Sequence, residues 1–480
     1  MQQNSTAPSG RRFRFQTFAV WGYAFPMSST APLQLAVVGH TNVGKTSLMR
    51  TLLRDAAFGD VAPTAATTRQ IEAAQLLAEG RPVVELYDTP GLEDASGLIG
   101  FLEPDAVERH AGPERIARFL DSADAGARFE QEARVLAQML DSDAAVYVID
   151  VREPVLGKYQ DELAILGLCA RPILPLLNFT ADPSGRLEEW RAALARVGLH
   201  AIAEFDTVVY SIEAESRFWR RLATLADSHA AGLEALLAER TRRAADLHVA
   251  ALRMLAELLI DAAGARREAA REDEASLERE QVALQRAVEQ RERSFVHDLL
   301  GLYRFPQDAL ELLPLPLARD GWRAPLFDPV MLEWLGKRAG GGLAAGAAAG
   351  AAVDVATGGL SLGIGTVVGS LIGGGGGAAW TMRDQIVSRV RGVRILAVSD
   401  AALGHLGARA LALVRALEQR GHAAQSPMQW QKGLPKAWPG ERVPPPLTRA
   451  RHSPRSSTLN GPAGAVRDEL AEQLAQMLRG

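Results

Sequence analysis

The chain has 480 residues, which is enough for two to four domains with buried cores. Its formal net charge of −4 excludes a general electrostatic attraction to nucleic acid or to anionic membranes, although local patches can still exist. The one cysteine, Cys169, excludes an internal disulfide and a metal site built from several cysteines. This cysteine usage fits a reducing compartment, so we expect a cytoplasmic location.

Residues 1–32 are predicted to form a disordered extension. Arg11, Arg12 and Arg14 precede an apolar stretch that weakly resembles a signal peptide, but no clear cleavage site follows it. The stretch also runs almost directly into the glycine-containing loop of the next segment. We therefore expect no export, and Met27 is an alternative start.

Residues 33–215 alternate short apolar runs with helical stretches, which is typical of a mostly parallel sheet with crossover helices. This pattern predicts an α/β domain with a doubly wound sheet. The predicted strands are Leu35–Val38, Ile71–Leu77, Val83–Tyr87, Ala144–Ile149, Ile173–Leu177 and Thr207–Tyr210.

The first predicted strand leads into GHTNVGKT, which fits G-x-x-x-x-G-K-[ST] in full and precedes a predicted helix. Its glycines allow consecutive N–H groups to converge on phosphate oxygens, and the helix adds its positive end. We expect Lys45 to bridge the β- and γ-phosphates, Thr46 to bind Mg²⁺ and His40 to pack the loop. The predicted nucleotide-binding residues here are Gly39, His40, Asn42, Val43, Gly44, Lys45, Thr46 and Ser47.

A second motif, VVELYDTPGL, is a predicted strand that ends at Asp88 and is followed by Gly91. The Asp88 carboxylate can hold a metal through water, while the Gly91 N–H can sense the γ-phosphate. Between the two motifs, PTAATTRQ offers a threonine that can close over the metal when triphosphate is bound. After Gly91, a helical insertion is predicted at about 92–143. It either carries nucleotide state to a partner or is a passive surface elaboration.

In this order, GxxNVGK[ST], TTR and DTPG resemble the Era/TrmE/EngA group of translation-factor-related GTPases over residues 33–215. The resemblance implies a Ras-like P-loop GTPase fold with GTP as substrate and Mg²⁺ as cofactor. The residues that it implies are Thr46, Thr68 and Asp88 for the metal, and Lys45, Thr68 and Gly91 for catalysis.

The resemblance also implies a potassium ion bound beside the phosphates by Asn42. Leu92 stands where many GTPases have a catalytic glutamine, in agreement with the hydrophobic substitution of this group. We therefore expect slow intrinsic turnover that potassium, self-association or a partner raises.

Guanine is normally read by N-K-x-D, whose aspartate accepts from N1–H and from the exocyclic amine. Here the strand ILPLLN ends at Asn178 and FTAD follows. Two registers stay open. If Asn178 takes the asparagine position, Ala181 stands where the aspartate belongs. If Asp182 is the base reader, Phe179 stands where the asparagine belongs. A one-residue bulge could bring Asp182 to the base, with Phe179 stacking. Ser211 is expected in the position of the S-A-K loop, so guanine preference depends mainly on the resemblance.

The second half of the chain is predicted to be mostly helical and resembles a C-terminal domain of unknown function in bacterial GTPase chains. Helical pattern covers about 216–300 and 383–420. The predicted divisions are a helical domain at 216–425, which includes a Gly-rich apolar segment at 339–381, a Pro/Arg-rich linker at 426–462 and a short helix at 463–480.

The Gly-rich segment raises the question of a membrane. Glycines recur at four-residue spacing, and Val355 to Thr381 is uncharged for 27 residues, about 40 Å as a helix and longer than a hydrocarbon core of about 30 Å. However, five consecutive glycines from Gly373 cost about 1 kcal/mol each in a helix. We expect conditional insertion in the inner membrane or a buried apolar hairpin, not a constitutive span.

These observations predict a GTP-hydrolysing switch that couples nucleotide state to the helical domain and, through it, to a membrane surface. A homodimer through the GTPase domain is a further expected partner. Two other classes stay open: a membrane-inserting, pore-type protein gated by nucleotide, and a ribosome- or RNA-associated assembly GTPase. RNA association needs a basic surface, and the one candidate, RARHSPR at 449–455, is predicted to be a solvated tail.

Overall fold

The computed structural model describes residues 31–55, 58, 72–102, 112–270, 273–306, 393–398, 400–424, 436–438 and 442–479. The strands in these ranges are β1 Leu33–Val38, β2 Glu72–Ala78, β3 Arg81–Asp88, β4 Ala144–Asp150, β5 Ile173–Asn178, β6 Ala203–Glu204, β7 Arg266–Ala270 and β8 Val393–Ala397. The helices are α1 Lys45–Leu53, α2 Ala95–Leu102, α3 Gly112–Leu120, α4 Glu130–Asp141, α5 Gly157–Leu168, α6 Leu187–Arg196, α7 Ile212–Leu225, α8 Ala230–Gly264, α9 Glu274–Leu302, α10 Asp400–Glu418, α11 Pro445–His452 and α12 Ala465–Arg479.

The N-terminal domain is built on a six-stranded sheet in the order β2-β3-β1-β4-β5-β6. Only β2 runs antiparallel to its neighbour; the other pairs are parallel. Every residue of β4 is buried, as expected of a central strand that is covered on both faces. The predicted α/β class with a mostly parallel sheet is confirmed.

Helices cover the two faces of this sheet. One face packs against helices α2 to α6 around large side chains such as Phe129 and Trp190. The other face packs against α1, α7 and the first turns of α8, with Phe218 and Trp219 fully or almost fully buried. The carboxyl ends of β1, β3 and β5 meet at one edge, where a ligand of an open α/β sheet binds.

The predicted domain boundary after residue 215 is wrong, because it falls within α7. Phe218, Trp219 and Leu222 of this helix belong to the same core cluster as strand β1. The 35-residue helix α8, about 50 Å long, then runs from this cluster at Leu233 into the C-terminal core at 251–263. One helix therefore joins the two domains.

The C-terminal core contains a strand pair where the sequence predicted only helix. Strands β7 and β8 pair antiparallel, from Arg266 opposite Ala397 to Ala270 opposite Val393. The β7 sequence RREAA consists of residues that favour helices. Pairing with a distant segment overrides this local preference, and the helical predictions for 216–300 and 383–420 are corrected accordingly.

The predicted linker at 426–462 is also corrected, because its second half belongs to the C-terminal core. Helix α11 buries Leu447 and Ala450, and Ser457 donates a 2.6 Å hydrogen bond from its hydroxyl to the carbonyl of Asp261. Proline is tolerated in the first turn of a helix, because the N–H that it lacks has no partner within the helix there. A Pro-rich sequence can therefore still begin α11. The stretch 449–455 is therefore part of a folded segment and not a tail, and its residues Arg449, His452 and Arg455 are exposed.

The sixth strand is β6, and the predicted strand Thr207–Tyr210 is wrong. Residues 206–210 form the connection that we call the β6–α7 loop. Asp206 turns the chain there, since its Oδ1 accepts from the backbone N–H groups of Val208 and Val209 at 2.8 and 2.9 Å. An aspartate that binds the backbone two and three residues ahead favours a turn over a strand.

Helices α2, α3 and α4 lie within the region predicted as a helical insertion; residues 103–111 of it lie outside the described residues. The predicted extension up to residue 30, the threonine switch with Thr68 and the Gly-rich segment 339–381 also lie outside them. In the described part of the chain, no helix combines the length and apolar character needed to cross a membrane.

Candidate nucleotide-binding site

The loop between β1 and α1 has the backbone conformation that its glycines allow. Gly44 has φ +96°, and a Cβ there would lie 2.4 Å from the Nδ2 atom of Asn178. Asn42 also lies in the left-handed region, with φ +63°, and is exposed. Helix α1 begins at Lys45, so its unpaired N–H groups face the loop. This arrangement forms an anion site at a helix N-terminus.

Lys45 is buried beneath this loop. Its Nζ donates to the carbonyls of Gly39 at 3.0 Å and His40 at 2.7 Å. Burial lowers the pKa of Lys45 to about 8, although the charges of Asp88 and Glu162 oppose the change. The ammonium group is therefore held ready for phosphate oxygens, and its charge is sensitive to mildly alkaline pH.

The two predicted metal ligands that are described lie together. The Thr46 hydroxyl donates to Asp88 Oδ2 at 2.6 Å, which joins the start of α1 to the end of β3. A hydroxyl and a carboxylate beside a phosphate site are the hard oxygen donors that Mg²⁺ prefers. This donor set fits Mg²⁺.

The DTPG segment lies against the phosphate loop. Gly91 touches Thr41 so closely that a Cβ on Gly91 would lie 2.7 Å from the Thr41 backbone nitrogen. The next residue, Leu92, is fully buried and forms a parallel bridge with His40. A buried leucine cannot orient a water molecule at the nucleotide, so this position supplies no equivalent of a catalytic glutamine.

Helix α4 holds the segment that follows Leu92. The buried Glu132 accepts from the backbone N–H groups of Glu93 and Asp94 at 2.9 and 2.8 Å. At the start of α2, Ser96 donates to Asp161 of α5 at 2.5 Å. The helical insertion is thus attached directly to the residues after the predicted γ-phosphate sensor.

His40 points away from the loop, toward α5. Its Nδ1 lies 2.7 Å from Glu162 Oε1, and Tyr147 donates its hydroxyl to Glu162 Oε2 at 2.6 Å. Lys158 Nζ lies 2.9 Å from the other ring nitrogen of His40. The His40 side chain therefore joins the loop to α5. Glu162 and Tyr147 were not predicted as part of the site, because no local motif marks them.

Asn178 joins the phosphate loop to the β6–α7 loop. Its Nδ2 donates to the carbonyl of Val43 at 3.0 Å, and its Oδ1 accepts from both the backbone N–H and the hydroxyl of Thr207 at 3.0 Å. Asn178 and Thr207 are both fully buried. Of the two open registers, these contacts favour the one with Asn178 in the asparagine position.

In this register Phe179 stands in the lysine position, with φ +59°. Its ring lies 3.4 Å from where a Cβ of Gly44 would be, and the guanidinium of Arg152 lies over it at 3.9 Å. Hydrogen bonds to Asp150 raise the pKa of Arg152, while burial lowers it. The negative charges of Asp182 and Asp206 raise this pKa further. The phosphate loop thus continues into an aromatic surface.

The two remaining base-site predictions are not brought to Asn178. Asp182 accepts from the N–H and the hydroxyl of Ser184 at 2.9 and 2.7 Å, and these bonds lower the pKa of Asp182. Ser211 is the N-cap of α7, where its hydroxyl accepts from the N–H of Ala214 at 3.3 Å. Thr207, not Ser211, is the residue of this region that binds the Asn178 side chain, and the loose spacing match could not have revealed it.

Residues 191–479 match a family model described as a domain of unknown function, DUF3482, and so account for more than half of the chain. The chain belongs to the DUF3482 family. Residues 34–178 of this DUF3482 protein also match the model of a family described as 50S ribosome-binding GTPase. The part of the chain that contains the site is therefore a P-loop GTPase domain, which precedes the family's C-terminal domain.

Solved structures that are similar to the DUF3482 protein at low identity include two of Era and one of an elongation factor. Era in complex with MgGDPNP and part of 16S ribosomal RNA is 17% identical, with a TM-score of 0.27, over 36% of this chain and 50% of that chain. A tyrosine-to-alanine variant of Aquifex aeolicus Era bound to GDP·AlF4⁻ is 18% identical, with a TM-score of 0.26 and the same coverage. The bacterial selenocysteine-specific elongation factor EF-Sec is 15% identical, with a TM-score of 0.27, over 41% and 29%.

The DUF3482 protein thus spans half the length of each Era chain and less than a third of EF-Sec. No curated protein matches it.

Proposed function

We propose that the protein is a GTP-hydrolysing switch of the Era type, with slow intrinsic turnover, whose nucleotide state is transmitted to the DUF3482 domain. The observation that carries this proposal is a backbone contact between the domains. Tyr210 of the β6–α7 loop donates its N–H to the carbonyl of Gln419 at 2.9 Å, and Gly421 donates to the carbonyl of Val208 at 3.0 Å. The loop beside Asn178 is therefore extended by a segment of the C-terminal domain.

A continuous set of contacts leads from this contact to the phosphate loop. Gly421 binds the carbonyl of Val208, the adjacent Thr207 binds Asn178, and Asn178 binds the carbonyl of Val43. Val208 and Thr207 are joined by their peptide bond and the other links are hydrogen bonds, of which the two made by Asn178 are buried. A displacement of Val43 by bound phosphate would therefore shift residues 419–421.

A second contact reaches the end of α1, just before the predicted switch segment. Arg240 of α8 donates to the carbonyl of Leu52 at 2.9 Å, and Arg54 donates to the Tyr210 hydroxyl at 2.8 Å. Tyr210 in turn donates to the buried Glu215 at 2.5 Å. Ordering of the predicted switch would act on the joining helix through these residues.

In this proposal Lys45 holds the β- and γ-phosphates, and Thr46, Asp88 and Thr68 hold Mg²⁺. The bound Mg²⁺ would neutralise charge on the phosphates. Lys45 would exchange its bonds to the carbonyls of Gly39 and His40 for bonds to phosphate oxygens. The Gly91 N–H, fixed against Thr41, would sense the γ-phosphate.

Slow turnover follows from the burial of Leu92, since an unassisted GTPase hydrolyses at about 10⁻⁴ s⁻¹. We expect potassium, bound with Asn42, or a second copy of the GTPase domain to raise this rate. GTP turnover measured in potassium and in sodium tests the ion. Asn42→Gly keeps the left-handed backbone and removes the amide, so it should lose any stimulation by potassium.

Hydrolysis itself is tested with Lys45→Ala, which removes the ammonium group. GTP turnover should fall at least about 100-fold, because the charge that stabilises the transferred phosphoryl group is lost. Unchanged turnover would contradict the assignment of the site.

Transmission between domains is tested at Gly421. A Cβ at this position would lie 1.9 Å from the carbonyl oxygen of Thr207, so Gly421→Ala must displace the contact. We expect GDP to dissociate about 10-fold faster, as measured with a fluorescent nucleotide in a stopped-flow instrument. Gly404→Ala on α10, where the nearest atom is 3.8 Å away, is the matched control. Equal dissociation rates in the two variants would contradict the coupling.

Membrane contact through residues 339–381 remains part of the proposal and has only sequence support. The 27 uncharged residues from Val355 to Thr381 are the reason to test it. Liposome flotation with GDP and with a non-hydrolysable GTP analogue should recover the full chain and not a variant lacking 339–381. Failure to float in both states would exclude membrane contact and the pore-type alternative.

A further inference from the structure

The predicted base site lacks its usual carboxylate. With Asn178 in the asparagine position, the loop that follows offers Ala181 where N-K-x-D has an aspartate. Guanine presents two donors on one edge, the N1–H and the 2-amino group. A site that selects guanine must place an acceptor there, because unpaired donors in a binding site are costly.

Three aspartates of the described residues surround this loop. Asp150 is occupied by a two-point ion pair with Arg152, at 2.9 and 2.7 Å. Asp182 accepts two bonds from Ser184 through Oδ1, which turn this carboxylate toward the residues that follow it in the sequence. The third, Asp206, reaches across from the β6–α7 loop and accepts from the backbone N–H of Ala181 at 2.9 Å through Oδ2.

We propose that Asp206 is the base-reading carboxylate of this protein and replaces the acid that position 181 lacks. This assignment rests on the proposed GTPase function. A carboxylate has room for about four hydrogen bonds. Val208 and Val209 use Oδ1 and Ala181 uses one position on Oδ2, which leaves an acceptor on Oδ2 for the 2-amino group of guanine. Asp206 is 7% exposed, so its bonds to backbone fix it in place before a base arrives.

The surroundings of Asp206 fit a purine. Arg152 covers one face of the Phe179 ring, so a base would stack on the opposite face, next to the phosphate loop at Gly44. Thr207, the residue after Asp206, is bound to Asn178, so the acid is anchored to the same side chain that anchors the phosphate loop. One backbone segment thus sets the distance between base reader and phosphates.

The sharpest test exchanges guanine for xanthine, which carries a carbonyl in place of the 2-amino group. Asp206→Asn replaces an acceptor by an amide that can donate to this carbonyl. GDP affinity should fall about 10- to 100-fold, xanthosine diphosphate affinity should rise, and the preference between them should shift at least about 100-fold. A purely structural role would lower both affinities by the same factor and would overturn the assignment.

Two further variants keep the test decisive if Asp206→Asn disturbs the loop. Adding Ala181→Asp to Asp206→Asn places an acid in the N-K-x-D position and should restore the preference for GDP. Asp143→Asn is the matched control, because Asp143 likewise accepts a backbone N–H, from Gln34 at 2.9 Å, far from the base. It should leave the preference unchanged.

The remaining outcomes separate this assignment from the proposed function. If Asp182→Asn shifts the preference toward xanthosine diphosphate, Asp182 is the reader and the assignment to Asp206 is overturned. If the wild-type chain binds ADP as tightly as GDP, the assignment fails while phosphate binding stands. If it binds neither GDP nor GTP, the proposed function fails with it.

Discussion

The side chain of Asn178 donates a 3.0 Å hydrogen bond to the carbonyl of Val43, a contact between residues 135 positions apart in the sequence. The same side chain accepts two bonds from Thr207 and one from the N–H of Phe179, so all four groups lose a partner if the amide is removed. Unsatisfied buried polar groups cost about 1–3 kcal/mol each. We therefore expect Asn178→Ala to lower the unfolding free energy by about 2–4 kcal/mol and GDP affinity at least about 10-fold.

Asn460→Ala is the control for this change. The Asn460 amide also binds two carbonyls, the distant one of Gly264 at 2.8 Å and the nearby one of Pro454 at 2.9 Å, but it lies in the C-terminal domain. Asn460→Ala should lower the free energy of unfolding, as measured by urea denaturation. Its GDP affinity, measured by fluorescence titration, should stay within about threefold of the wild type. Equal loss of affinity in both variants would mean that Asn178 acts only through overall stability.

The charge of Lys45 makes nucleotide affinity depend on pH. Its pKa is about 8 in the nucleotide-free protein, so the ammonium form is complete below that value and is lost as the pH rises through it. Bound phosphate stabilises the charged form and raises the pKa, so binding above pH 8 takes up a proton. GDP affinity should fall about 10-fold between pH 7 and pH 9, as measured by calorimetry in buffers of different ionisation heat.

The same titration of Lys45→Ala should be nearly flat over this range, with lower affinity throughout. The prediction is contradicted if the GDP affinity of the wild type does not change from pH 7 to pH 9 and no proton is taken up. Lys45 would then have an ordinary pKa in the nucleotide-free protein.

Glu162 is expected to position the phosphate loop through His40. Glu162→Ala leaves two donors without their acceptor, the His40 ring and the Tyr147 hydroxyl, and releases the loop. It should cost about 3 kcal/mol of stability and lower GDP affinity about 10-fold. Tyr147→Phe breaks only the bond that faces away from the loop and should cost about 1 kcal/mol, with GDP affinity within about threefold. Similar affinity losses in both variants would contradict a positioning role for the His40 contact.

The phosphate loop and the metal pair were predictable because their chemistry is local. Gly39 to Thr46 are consecutive, and Asp88 stands at the end of an apolar strand, so spacing and composition suffice. The partners of these residues were not predictable. Glu162 and Thr207 meet the site only after α5 and the β6–α7 loop are in place, and neither lies in a motif.

The C-terminal domain was misread where tertiary contacts outweigh local preference. Strand β7 has a helical composition and becomes a strand only by pairing with β8, more than 120 residues later. Helix α11 begins in a Pro-rich stretch and is held by burial of Leu447 and Ala450. Sequence periodicity cannot report contacts of this kind, because the partner segment supplies the free energy.

The C-terminal core is expected to depend on a buried ion pair of Asp261 with Arg467. Burial opposes the charge of Asp261, but hydrogen bonds from Arg467, from the N–H of Thr458 and from Arg291 lower the pKa of the carboxyl. A folded-state pKa below the unfolded value stabilises the protein above about pH 4, and the effect is lost as the pH falls through the folded value. Arg467→Ala should therefore lower the free energy of unfolding by about 2–4 kcal/mol at pH 7, with Arg291 still in place, and by less near pH 3.

Arg279→Ala is the control, because it removes an exposed ion pair with Asp273. It should lower the free energy of unfolding by under about 0.5 kcal/mol. Urea denaturation at both pH values measures the difference, and a loss for Arg467→Ala that is the same at pH 7 and pH 3 would mean that packing, not charge, holds α12 in place.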